Sequence, residues 1–177
     1  MCGSNIVPSF VGESYGRADI IVVALDSYGK ARGFATLYKK RGKRSVLVLD
    51  LICRDKKPRR TTRQRTGRSP RRTAQRGVGM LTFLKRFARR NHWKTIELHA
   101  LTSTMGYYLR SGWRFPPRRS SNSVRAKLEK RMTRIATRKR TNRRSMELLQ
   151  QKYRDRVPGV YNSHGLEEGI TMLWHAD

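Results

Sequence analysis

Residues Gln75 to Met80 read QRGVGM, placing Gly77 and Gly79 just before an amphipathic run. Two such glycines let the backbone approach a ligand closely, and a helix opening behind them offers unpaired N–H groups and the positive end of its dipole. Pyrophosphate suits that cradle, although the same pattern also serves as a plain turn. Asp50 is the only acid within Ser45 to Cys53 (SVLVLDLIC). Burial there would raise its pKa towards the range of a general base. Glu97 is a second acid of this kind. A surface-facing or paired carboxylate is the plainer alternative for both. Cys2, Cys53 and the four histidines (His92, His99, His164, His175) show neither metal-ligand spacing nor a disulfide pattern. That supports neither a zinc site nor a disulfide framework, and it reads as a reducing, intracellular protein.

Strands and helices of suitable type surround these positions. Asp19 to Leu25 (DIIVVAL) and Arg32 to Tyr38 (RGFATLY) read as strands of a hairpin around Asp26-Ser27-Tyr28-Gly29. The basic turn Lys39 to Arg44 leads into the strand carrying Asp50. Met80, Leu84, Phe87 and Ala88 then recur at helical spacing, with Lys85, Arg86, Arg89 and Arg90 on the other side. Lys94 to Leu98 and Gly169 to His175 (GITMLWH) read as further strands. Met1 to Arg17 shows no clear helix.

Charge identifies the class of partner. The chain has 177 residues, 41 Lys or Arg against 12 Asp or Glu, a net charge of +29 and a sequence pI near 11.5. A polyanion, nucleic acid first, is implied, and protein partners in a large assembly fit the same charge. The cations concentrate in two stretches. Arg54 to Arg76 holds eleven Lys or Arg and one acid, without hydrophobic periodicity. Arg59, Arg60, Arg63, Arg65, Arg68, Arg71 and Arg72 make it a phosphate-binding arm, with a solvated flexible loop as the alternative. Arg118 to Arg156 holds fifteen cations and three acids, Arg138, Lys139, Arg140, Arg143 and Arg144 being the densest group. Here Val124, Leu128, Met132 and Ile135, then Met146, Leu149 and Tyr153, follow helical steps. The stripe breaks around Lys139 to Asn142, giving two helices or one weakly docked helix. No apolar stretch reaches the length of a membrane span, and no signal-peptide pattern opens the chain.

Tyr107-Tyr108-Leu109-Arg110-Ser111-Gly112-Trp113 follows the fourth strand. Strand, glycine turn, helix, strand and then Tyr-x-x-x-Gly-aromatic resembles the GNAT family of N-acetyltransferases, from Asp19 to Phe115. Gly77 and Gly79 match the family's glycine turn and Tyr108 its tyrosine. Gly112-Trp113 stands for the usual Gly-Phe, and Ala74 replaces a Gln or Arg.

The resemblance implies one α/β (α+β) domain over residues 1–177, a central mixed, mostly antiparallel sheet flanked by helices. A basic loop is inserted at 54–73 and a basic helical segment at 118–160. It implies acetyl-CoA as cofactor. Arg76, Gly77, Val78, Gly79 and Met80 would hold the pyrophosphate, strand backbone at Ile52 and Cys53 the pantetheine arm, and Tyr108 would be the general acid. Two last strands, Trp113–Phe115 and Ile170–Trp174, would pair. The eighteen residues before the hairpin are too few for the strand and helices that normally build the acceptor groove. The function implied is acetyl transfer to an amine, with nucleic-acid-binding extensions. The alternative is a non-catalytic component of a nucleoprotein particle, a virion or ribosome.

Overall fold

The computed structural model describes residues 8–25, 28–54, 79–117, 123–138, 143–161 and 167–176. Helix α1 (Pro8–Gly16) precedes strands β1 (Ile20–Leu25), β2 (Ala31–Lys39) and β3 (Val46–Arg54). Helix α2 (Gly79–Arg90) and β4 (Thr95–Ala100) follow. A 3-10 turn (Thr102–Thr104) leads into α3 (Met105–Arg110), then come α4 (Val124–Ala136), α5 (Arg143–Arg156) and β5 (Ile170–His175). The strands form one mixed sheet in the order β1-β2-β3-β4-β5. Only β3 and β4 run parallel among them, joined by a segment containing α2; the other pairs are antiparallel. The mixed, mostly antiparallel sheet flanked by helices is the architecture expected.

Apolar side chains of α2 (Leu81, Leu84, Ala88) cover Ala35, Leu37, Leu47, Leu49, Ile96 and Leu98 on one face of the sheet. The opposite face carries a smaller cluster, Phe34, Leu51 and Cys53, against Val11 of α1. Burying apolar surface on both faces explains why β2 shows a continuous buried run rather than alternation.

Three expectations need correction. Helix α1 lies where no helix was legible. Gly12 and Gly16 depress its propensity, and a helix so short is held by docking. Ser14 shares a 2.6 Å hydrogen bond with Thr36, and Tyr15 lies 5.1 Å from Phe34. Trp113–Phe115 is not a strand: a single bridge joins Arg114 to Leu173 before Pro116. Cys53 is disulfide-bonded, so the cysteines no longer argue for a reducing compartment; Cys2 lies outside the described residues.

Within the second basic stretch, α4 ends at Ala136 and α5 begins at Arg143. Met132, Met146, Leu149 and Tyr153 are buried, whereas Val124 is exposed. Gly106 sits where α3 meets α5, and a Cβ there would come within 2.8 Å of Met146 Cγ. No helix among the described residues is long and apolar enough to cross a membrane.

Candidate functional site

A bulge in β3 creates the site. On β2 the register moves one residue, Leu37 to Thr36, while on β3 it moves two, Leu49 to Leu51, so Asp50 is the extra residue. Bulges bend a strand and end pairing. Pairing of β3 with β4 stops at the same place: Val46 to Leu49 oppose Thr95 to Leu98, and β3 continues to Arg54 without β4. The β4-facing edge of Leu51 to Arg54, which includes Ile52 and Cys53, is thereby released from the ladder. The gap lies at the C-terminal ends of a parallel pair, where open α/β sheets receive ligands. Helix α2 starts there at Gly79, because a crossover helix runs back against its strands. Its first turn holds no acid, and among the described residues a Cβ on Gly79 would meet nothing within 4 Å. Met80 is half-buried against the core. Arg76, Gly77 and Val78 lie outside the described residues.

Asp50 is engaged. Ser14 Oγ donates to its Oδ2 at 2.6 Å, and Arg17 Nη2 donates to both oxygens at 3.0 and 3.1 Å. These bonds tie α1 to the bulge residue. Glu97 likewise accepts Lys40 Nζ at 2.6 Å on each oxygen. Both acids singled out as bases are thus paired carboxylates, the plainer of the two alternatives.

Tyr108 lies on α3, half-buried, edge-on to Trp113 at 5.9 Å and to Tyr107 at 5.3 Å. Burial, with a smaller contribution from Tyr107, pushes its phenol up to about 12. Tyr107 is 49% exposed, so Tyr108 is the tyrosine set into the body. Trp113 is fully buried, with its Nε1 unpartnered among the described residues. Lys85 of α2 lies 4.7 Å from the Trp113 ring centroid and donates to the Ser111 carbonyl at the end of α3. Burial, then Arg89 and Arg114, lowers its pKa. Gly112 turns the chain at φ 86°, a left-handed conformation that glycine adopts without strain.

The folded phenol keeps its proton above the ordinary pKa near 10, so ionisation favours the unfolded chain. Stability should be intact below about pH 10 and should fall by about 1.4 kcal/mol per pH unit from there to about 12. In ultraviolet titration, Tyr108→Phe should remove a phenolate transition near pH 12; an unchanged curve would contradict the burial.

Of the cations read as nucleic-acid contacts, Arg138, Arg143 and Arg144 are described, and all three are exposed near the α4–α5 connection. Arg143 Nε donates to Glu147 at 2.8 Å. Arg59, Arg60, Arg63, Arg65, Arg68, Arg71, Arg72, Lys139 and Arg140 lie outside the described residues. Sequence reading missed the bulge and the α1 contacts to it; the lone acid within an apolar strand was the one available signal.

No family model matches the chain, and no curated protein matches it. Among solved structures it is similar to a GNAT family acetyltransferase from Elizabethkingia anophelis with acetyl-CoA bound: 11% identity, TM-score 0.46, covering 99% of this chain and 94% of that one. For Tetrahymena GCN5 the values are 10%, 0.45, 89% and 68%. For N-acetylglutamate synthase from Neisseria gonorrhoeae they are 10%, 0.45, 98% and 29%, so this chain spans under a third of that protein. Likeness at this level carries no functional argument.

Proposed function

We propose that the chain is an acetyl-CoA-dependent N-acetyltransferase-like protein that transfers acetyl to an amine held near nucleic acid. The observation that carries this is the gap where β3 leaves β4 at the Asp50 bulge. It leaves strand backbone unpaired by β4 beside the start of an acid-free helix. The cofactor fits these residues: Ile52 and Cys53 offer a strand edge to an amide-bearing pantetheine arm. Among the described residues nothing crowds Gly79 before the N–H groups of α2, where Arg76 to Met80 would hold a pyrophosphate.

When bound, acetyl-CoA supplies an acetyl group activated as a thioester. Tyr108 keeps a proton on Oη throughout the physiological range. A phenol near 12 is too weak an acid to release that proton fully to a thiolate. It serves instead as a hydrogen-bond donor to developing negative charge. Asp50, fixed by Ser14 and Arg17, holds the bulge. The net charge of +29 repels free cationic amines, which favours an acceptor already neutralised in a nucleoprotein. The Arg-rich stretches at 54–73 and 118–160 would supply phosphate contacts there.

One observation favours the second reading, a non-catalytic component of a nucleoprotein particle: Asp50 and Glu97 are both already paired. Release of CoA from acetyl-CoA, measured with lysine-rich peptides with and without nucleic acid, separates the two. The enzyme reading expects release, reduced roughly 100-fold in kcat by Tyr108→Phe. No release with any of these acceptors would support the second reading.

A further inference from the structure

We infer that the turn between β2 and β3, together with Trp93, forms a nucleotide-binding cleft in which an unstacked base lies on the indole and its phosphates meet Lys39, Lys43 and Arg44. A concavity of about 490 Å³ is lined by Lys39, Lys40, Gly42, Lys43, Arg44 and Trp93. Small-ligand sites span about 300–1,000 Å³. Four cations around one aromatic ring match a ligand with a flat π-face and negative charge, since bases stack on aromatics while phosphates pair with cations.

The walls are tied together. Lys40 N donates to Val46 O at 3.0 Å and Lys43 N to Lys40 O at 3.1 Å, with Gly42 at φ 72°. Trp93 N donates to Ala88 O at 2.9 Å, and the next residue, Lys94, donates from its N to Ser45 O at 3.0 Å. Trp93 packs partly on the core, while Trp113 and Trp174 are buried. It is therefore the one tryptophan available to a large ligand. Lys40 is committed to Glu97, leaving the positive field of the cleft to the other three. Asp19, the nearby acid, accepts the Lys39 backbone N–H at 2.7 Å. Among the described residues, no carboxylate forms an ion pair with Lys39, Lys43 or Arg44.

The cleft is separate from the proposed cofactor gap. It lies at the start of β3, and the gap begins at Leu51, five residues on from Val46 at about 3.3 Å each, or roughly 17 Å. The inference shares with the proposed function the premise of a nucleic-acid partner, but uses none of its cofactor residues. A base paired within a duplex has no free face, so the class of ligand is single-stranded nucleic acid.

Titrating the full chain with a single-stranded oligonucleotide of about ten nucleotides, its duplex and a mononucleotide tests this by tryptophan fluorescence. The single strand should quench, and Trp93→Leu should abolish the quench and weaken binding roughly 5- to 150-fold. Trp93→Tyr, which keeps a stacking face, should retain most of the affinity. Lys43→Glu with Arg44→Glu should flatten the salt slope by about 1.4, two contacts at about 0.7 each. Tighter binding of the mononucleotide than of the strand would reassign the cleft to free nucleotides and overturn the strand assignment. Preference for duplex, or equal affinity of wild type and Trp93→Leu, would overturn the cleft itself. Acetyl-CoA binding by Trp93→Leu reports separately on the cofactor gap and should be unchanged.

Discussion

Replacing Glu129 with alanine should cost about 1–3 kcal/mol and loosen the α4–α5 pair from the body. Glu129 is 5% exposed, and its Oε1 accepts Tyr153 Oη at 2.8 Å and Arg125 Nε at 3.1 Å. Tyr153 is fully buried and stacks on Phe115 at 6.4 Å, so the carboxylate joins α4 to α5 beneath an aromatic layer. Its removal takes a carboxylate acceptor from a fully buried phenol, whereas the Arg125 guanidinium, 32% exposed, can turn to water. Glu129→Leu combined with Tyr153→Phe should recover part of the loss, because replacing both partners by apolar groups removes the orphaned donor. Urea denaturation measures each variant. A Glu129→Ala loss under about 1 kcal/mol would mean that packing alone docks the helices.

Trp113→Ala should cost more, about 3–5 kcal/mol, from the cavity left by a fully buried indole. Its second effect is specific. Trp113 is the wall against which Tyr108 lies, so the phenol should become hydrated and its pKa should fall from about 12 towards the ordinary 10. Trp113→Phe should be far milder. It loses volume, but it also removes the buried Nε1 donor that has no partner among the described residues. Ultraviolet titration beside thermal melts checks both effects. A destabilised Trp113→Ala with an unmoved phenol would show that other neighbours bury Tyr108.

The strands were legible because β-branched, apolar runs such as IIVVAL and SVLVLDLIC are bounded by turn residues, and α2 because Leu84 and Ala88 recur on one face. The candidate site was legible only in part. Gly79 and Tyr108 stand out by type and spacing, whereas the bulge is a mismatch between two strands and has no local sequence signal. Asp50 drew notice as a lone acid. Its role depends on Ser14 and Arg17, which lie 36 and 33 residues away and on or beside a helix that propensity does not favour. The Trp93 cleft was equally hidden, since it joins a turn to a residue about fifty positions later.

Calorimetric titration of nucleic-acid-free protein with acetyl-CoA, set beside Gly79→Trp, addresses the cofactor gap most directly. No described residue comes within 4 Å of a Cβ at Gly79, so the bulky side chain should leave the fold and melting temperature intact while blocking the approach to α2. Saturable binding by the wild type that Gly79→Trp loses is the expected result. Absence of binding at about millimolar cofactor, a concentration at which even a weak site of about −4 kcal/mol is half filled, would contradict the assignment, as would equal binding by both proteins.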